Sequence, residues 1–193
     1  LFRSMIYDPK DIPATLEPRN AEVRVYHMWD ESLVGVVSND AARQALVLSP
    51  PAKSPPGAFG VKKYAIFNTR EGMTRPGQWY LDRVAGRIVY WPLPGQDLTK
   101  TKVVAPSLER LIQIASVKNQ MVENFTLRGL VFQAAKTPLK PGGFVAGALA
   151  PAVSLNGGKK CAIESLEICN VGGQGLQLSR VSDCRVADCH IHH

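Results

Sequence analysis

Residues 152–171, AVSLNGGKKCAIESLEICNV, and residues 175–193, GLQLSRVSDCRVADCHIHH, decide the reading of this chain. They share few letters, yet their apolar positions coincide. Val153 aligns with Leu176, Leu155 with Leu178, Ile163 with Val186, Leu166 with Cys189 and Ile168 with Ile191, each pair 23 residues apart. Cys161 and Cys184 keep the same separation of 23. A third segment, LIQIASVKNQMVENFTLRGL at 111–130, aligns at a separation of 41: Ile112 with Val153, Ile114 with Leu155, Val122 with Ile163, Phe125 with Leu166 and Leu127 with Ile168. The excess of 18 residues is assigned to a loop inserted around QAAKTPLKPGGFVAGALAP at 133–151.

A fixed period of this size marks a repeat architecture. Each repeat holds short strand-like stretches such as VSLN, CAIES–LEIC and GLQLS, separated by glycine or polar turns. One such unit cannot bury its apolar face alone. Stacked coils bury it continuously, each strand bonding to its counterpart one coil away at about 4.8 Å. Helical repeats are excluded because the apolar spacing is two rather than 3.6. A leucine-rich repeat is excluded because its LxxLxL signature is missing. The expectation is a parallel β-helix over 106–193, holding about three coils.

Upstream, residues 1–105 read as short strands and turns. AEVRVYHMW alternates Val23 and Val25 with Glu22, Arg24 and Tyr26, the pattern of a half-buried strand. SLVGVVS, QALVLS and KYAIFN follow, and the proline-rich PPAKSPPG interrupts them. QWYLD and RIVYWP, joined by RVAG, suit a hairpin with Gly86 in its connection. This half is expected to be an antiparallel β module, a barrel or a sandwich, and the chain as a whole all-β.

Composition narrows the function classes. The 193 residues carry 23 Lys and Arg against 16 Asp and Glu, a formal charge of +7. These cations are spread along the chain in pairs at most, with no arginine-rich helix or aromatic RNA-binding signature, so a solvated basic surface is expected and not a nucleic-acid site. An acidic polysaccharide is the other partner such a surface suits. No apolar run approaches the roughly 20 residues that span a bilayer, so no membrane span is expected. The opening LFRSMIYDPKD lacks the basic start and apolar stretch of a secretory signal. Four cysteines are too few for a disulfide scaffold; Cys161 and Cys184 would stack close enough for a disulfide, and free thiols packed as small core hydrophobes are the favoured alternative.

Three stretches carry a family resemblance: RPGQWYLDRVAGRIVYWPLPGQDL at 75–98, VVAPSLERLIQI at 103–114 and VENFTLRGLVF at 122–132. Together with VYHMWDESLVGVVSND at 25–40, they resemble a group of right-handed β-helix carbohydrate-active proteins. In that group a small β-rich module ending in such a hairpin interrupts the N-terminal coils. The nearest resemblance is to glycoside hydrolase family 141, and pectate-lyase-like proteins share the architecture more distantly. The resemblance implies a right-handed parallel β-helix with an inserted module, a polysaccharide or oligosaccharide partner and an extracellular or periplasmic location. It also implies that this chain is an N-terminal fragment, with the family's catalytic acids on coils beyond His193, so the chain alone is expected to be inactive. A non-catalytic glycan-binding or adhesive scaffold and a polysaccharide lyase remain alternatives, since one fold hosts several activities. The last coil is expected to expose an uncapped end prone to self-association.

Candidate chemistry follows from stacking. At the expected register, outward positions stack Thr126, Glu167 and His190, then Arg128, Cys169 and His192, while a turn column holds Asn124, Ser165 and Asp188. Glu167 beside His190 is an acid/base candidate, with Asp188 near it; an exposed polar ladder has the same letters. His190 and His192, with the adjacent His193, share a strand end near Cys169 and are where a metal would bind. No CxxC or HExxH spacing accompanies them, and no cofactor is expected. Trp79, Tyr80 and Trp91 flank the hairpin as candidates for stacking on sugar rings, against the reading that they form the module's core.

Overall fold

The computed structural model describes residues 2–118, 120–144 and 149–192. Among them every regular element is a strand apart from one 3-10 turn at Ala58–Gly60. The chain divides into two compact units, Leu1–Lys102 with Leu139–Val145, and Val103–Pro138 with Ala146–His193.

In the first unit the strands are β1 (Phe2–Ile6), β2 (Glu22–Tyr26), β3 (Glu31–Asp40), β4 (Ala45–Ala52), β5 (Tyr64–Phe67), β6 (Trp79–Asp82) and β7 (Arg87–Tyr90). β1 to β5 form one antiparallel sheet in the order β1-β4-β3-β2-β5. The period-2 alternation of β2 turns Val23 and Val25 inward, where they pack with Val34, Leu46, Met5, Ile12 and Leu16. β6 and β7 pair as a separate hairpin, Trp79 opposite Tyr90 and Asp82 opposite Arg87, with Gly86 at φ +65° in the connection.

A polar joint ties that hairpin to the sheet. The buried Asn20 donates its side-chain amide to Asp82 Oδ1 at 3.1 Å and accepts at its own Oδ1 from the backbone N–H of Arg83 at 2.7 Å. Asn68 mimics a strand against Leu81, accepting from its N–H at 2.7 Å and donating to its carbonyl at 2.9 Å. The Arg83 guanidinium pairs with Glu22 of β2. Every buried polar group of this joint therefore finds a partner, as burial requires.

The second unit begins with β8 (Ile112–Ala115), β9 (Val122–Glu123), β10 (Thr126–Arg128) and β11 (Val131–Ala135). β12 (Lys140–Phe144) belongs to the first unit, and β13 (Pro151–Lys159), β14 (Ala162–Glu164), β15 (Glu167–Val171), β16 (Gln174–Ser182), β17 (Arg185–Ala187) and β18 (His190–His192) complete the second. Its strands form three parallel sheets: β16-β13-β8 with β9 also on β13, β10-β14-β17, and β11-β15-β18. Each sheet takes strands from three successive tiers: β8 to β11, then β13 to β15, then β16 to β18. The apolar alternation of all three tiers meets in one core around Val153, Leu155, Ile163, Leu166 and Ile168.

Register between the second and third tiers is 23 residues everywhere, from Val153 opposite Leu176 to Ile163 opposite Val186 and Ile168 opposite Ile191. Between the first and second tiers the expected separation of 41 holds only over β8, from Ile112 opposite Val153 to Ala115 opposite Asn156. It then falls to 36, at Val122–Gly158, Leu127–Ile163 and Phe132–Ile168. The change occurs because residues 116–121 stand opposite the single Gly157, an excess of five residues. Gly157 is at φ +79°, and a Cβ there would meet Ser116 Cβ at 2.6 Å, so the detour closes only over a glycine.

Three stacked columns change in consequence. Val131, not Thr126, lies opposite Glu167, which in turn lies opposite His190. Gln133, not Arg128, lies opposite Cys169 and then His192. The turn column proves to be two columns of left-handed residues: Asn124, Lys160 and Asp183 at φ 55°, 53° and 54°, and Gly129, Ser165 and Asp188 at φ 68°, 53° and 54°. The remaining insertion before the second tier is not a free loop. Within it Lys140–Phe144 forms β12, antiparallel to the start of β3, where Lys140 faces Leu33 and Phe144 faces Glu31.

Candidate functional site

The richest constellation lies on β15 and β18. These short strands alternate, so Ile168 and Ile191 turn toward the core while Glu167, Cys169, His190 and His192 turn away from it. His192 Nε2 lies 3.3 Å from Glu167 Oε1, and both side chains are about half exposed. Glu167 sits in register with His190, but its hydrogen bond goes to His192. The two imidazoles stack with ring centroids 4.1 Å apart and planes 23° apart. Beneath them Cys169 is buried although it lies outside the apolar core, and its Sγ accepts from the Asn170 side-chain amide at 3.7 Å. One ligand atom from each of Glu167, Cys169 and His192 falls within 4.8 Å of the others. His193, named with this cluster, is outside the described residues.

The other acids of the stacked strands are committed or remote. Glu164, buried on β14, is held between Arg128 of β10, Nε 2.8 Å away, and Arg185 of β17 at 3.4 Å. That clamp reflects the register, since Arg128 lies directly opposite Glu164. Asp188 is exposed at a left-handed corner, one strand away from Glu167. The sequence reading missed the Glu164 clamp because it placed Arg128 over Cys169. Cys161 lies in the core with its backbone N–H 3.4 Å from Cys184 Sγ, and all four cysteines are free thiols.

In the first unit the aromatic candidates separate. Tyr80 is buried, whereas Trp79 is 62% exposed and Trp91 42%. Packing therefore accounts for Tyr80 and leaves both indoles facing solvent. A cavity of about 210 Å³ in the same unit is lined by Asp11, Ile12, Leu16, Ile66, Thr69 and Glu71. Tyr64 donates to Asp11, and burial together with that bond pushes its phenol up to about 12, so it remains a donor at all physiological pH values. His27 Nε2 and Ser32 Oγ are 3.0 Å apart, a nucleophile–base pairing by letter. Both are buried, and Gly142 of β12 lies so close to Ser32 Oγ that a Cβ would sit 2.6 Å from it. That pair is structural.

No protein-family model matches the chain, and no curated protein matches it either. A solved structure titled "Glycoside hydrolase" does, with a TM-score of 0.65 at 18% identity over 95% of this chain. The fold is that of this protein's matching part. The chain spans 42% of the length of that solved chain. Among the described residues no helix is long and apolar enough to cross a membrane.

Proposed function

We propose that this chain is part of a polysaccharide-acting right-handed parallel β-helix protein, a glycoside hydrolase of the kind resembling family 141, working outside the cell or in the periplasm. The observation that carries the reading is the fold match over nearly the whole chain, antiparallel unit included, to a chain titled as a glycoside hydrolase. The constant 23-residue register of three parallel sheets supports a β-helix, in which each tier is one coil. Glycoside hydrolysis needs two carboxylates placed across the scissile bond. Glu164 is clamped by two arginines and Glu167 faces His192, so neither is a free carboxylate. The proposal therefore puts the reacting acids on further coils, and gives the present residues scaffolding and substrate contact.

A second reading, glycan binding without turnover, is favoured by the two exposed indoles of the hairpin unit, Trp79 and Trp91. One experiment tests the carbohydrate contact that both readings share. The 193-residue chain is incubated with neutral and acidic polysaccharides, and retention, reducing ends and unsaturated products are followed. Expected is retention that Trp79→Ala and Trp91→Ala weaken, with no product. New reducing ends would place catalysis within these residues, and unsaturated products would indicate a lyase. No retention on any glycan would sink the carbohydrate reading.

A further inference from the structure

The geometry points to a divalent d-block metal site, best suited to zinc, formed by Glu167 and Cys169 of β15 and His192 of β18. It is independent of the carbohydrate reading. The donors are one carboxylate oxygen, one thiol sulfur and one imidazole nitrogen, all within 4.8 Å of one another. A tetrahedral zinc with bonds of about 2.0–2.3 Å holds its ligand atoms about 3.3–3.8 Å apart. The Glu167–His192 separation of 3.3 Å already meets that spacing. Rotation of these two half-exposed side chains toward the fixed sulfur closes the rest.

The backbone supports the placement. Cys169 and His192 are register partners on adjacent parallel strands, so their Cβ atoms are held side by side by the sheet and not by a loop. Cys169 turns away from the core yet is buried, which gives the metal a sheltered sulfur, while the Asn170 amide points at that sulfur. His190, stacked on His192, supports one face of the ligating ring. Such outer contacts orient a ligand without touching the metal. With three protein ligands one position stays open to solvent, the arrangement of catalytic rather than structural zinc sites. Calcium and magnesium are disfavoured, because they require several oxygen ligands and the cluster offers one carboxylate.

The test uses the 193-residue chain, reduced and freed of metal, titrated with zinc and separately with cobalt(II). Zinc is expected to bind one per chain and to raise the unfolding temperature, because the folded state alone presents the site. Cobalt is expected to give the intense visible bands of a tetrahedral centre and a thiolate charge-transfer band. His192→Gln and Glu167→Gln, both at half-exposed positions, should each weaken zinc at least about tenfold, since even outer-shell partners cost that much. Cys169→Ser should abolish the charge-transfer band, and Cys184→Ser and Cys189→Ser should leave it unchanged. Should Cys169→Ser fail to fold, the two exposed variants still decide. No saturable zinc binding, wild-type affinity in His192→Gln, or loss of the band in Cys184→Ser would each overturn the site.

Discussion

The second and third tiers of the stacked unit carry nearly the same apolar pattern and live in different environments. Val153, Leu155, Ile163 and Ile168 of the second tier are at most 1% exposed. Their register partners one tier on are Leu176, Leu178, Val186 and Ile191; the two leucines are partly buried, and Val186 and Ile191 are 44% and 49% exposed. The residues of one tier do not set their own burial. Among the described residues the second tier is covered on both sides and the third on one, and the exposure of their side chains follows that difference. Repeat proteins draw their stability from such nearest-neighbour interfaces, so equivalent letters at equivalent positions are energetically unequal.

The sharpest way to break that comparison is to delete the same side chain in both tiers. Ile168→Ala empties a fully buried position and is expected to cost about 3–4 kcal/mol. Ile191→Ala, directly opposite and half exposed, should cost under about 1 kcal/mol. Denaturant unfolding of both variants measures the difference. Equal losses would mean that Ile191 is covered in solution, which is what self-association through this face would produce, and a concentration-dependent midpoint would then identify it.

The antiparallel unit offers a polar counterpart to that dry stack. Its hairpin is held by Asn20, whose amide serves Asp82 and whose carbonyl oxygen Oδ1 serves the N–H of Arg83. Asn20→Ala strands these buried groups and is expected to cost about 2–3 kcal/mol, with little change in the stacked unit. The joint is also sensitive to pH. The backbone N–H of Ala85, then the Asn20 amide, hold the Asp82 carboxyl below its usual value. A carboxylate lowered in the folded state contributes stability above its unfolded value of about 3.9 and loses it as pH falls through the lower folded value. The unit should therefore weaken below about pH 4, and Asp82→Asn should flatten that limb of a pH–stability curve. An unchanged acid limb in Asp82→Asn would place the acid sensitivity elsewhere.

These contrasts mark what the letters carry and what they do not. The 23-residue spacing was readable because Val153, Leu155, Ile163 and Ile168 recur without insertion in the next tier. The first tier misled because two registers both set apolar on apolar: Leu127 fits over Ile168 at 41 residues as well as over Ile163 at 36. Only Gly157 hinted at the five-residue detour, and one glycine has many uses. KPGGF reads as a loop and is a strand because β3 leaves Glu31–Leu33 unpaired on the side that β4 covers only from Gly35 onward. No local pattern announces that vacancy. Glu167 with His192 was within reach of the letters, since β18 stacks on β15 at the readable period, but the choice of His192 over His190 as the bonded partner rests on side-chain direction. The Glu164 clamp needed the correct first-tier register and was invisible without it.

The corners supply the control for the tier comparison, because strain in the backbone does not depend on a neighbouring tier. Lys160 and Asp183 occupy one column at φ 53° and 54°, a left-handed conformation that opposes a Cβ in both tiers alike. Glycine removes that opposition, although it enlarges the unfolded ensemble. Lys160→Gly should therefore stabilise the protein by about 0.5–1 kcal/mol, and Asp183→Gly by less, since aspartate tolerates this region better than lysine. Thermal unfolding of the two variants reads the sign directly. If burial and strain both followed tier position, Lys160→Gly would stand apart from Asp183→Gly as widely as Ile168→Ala does from Ile191→Ala. A gap confined to a few tenths of a kcal/mol would assign the asymmetry between tiers to packing alone, with the corner geometry common to both.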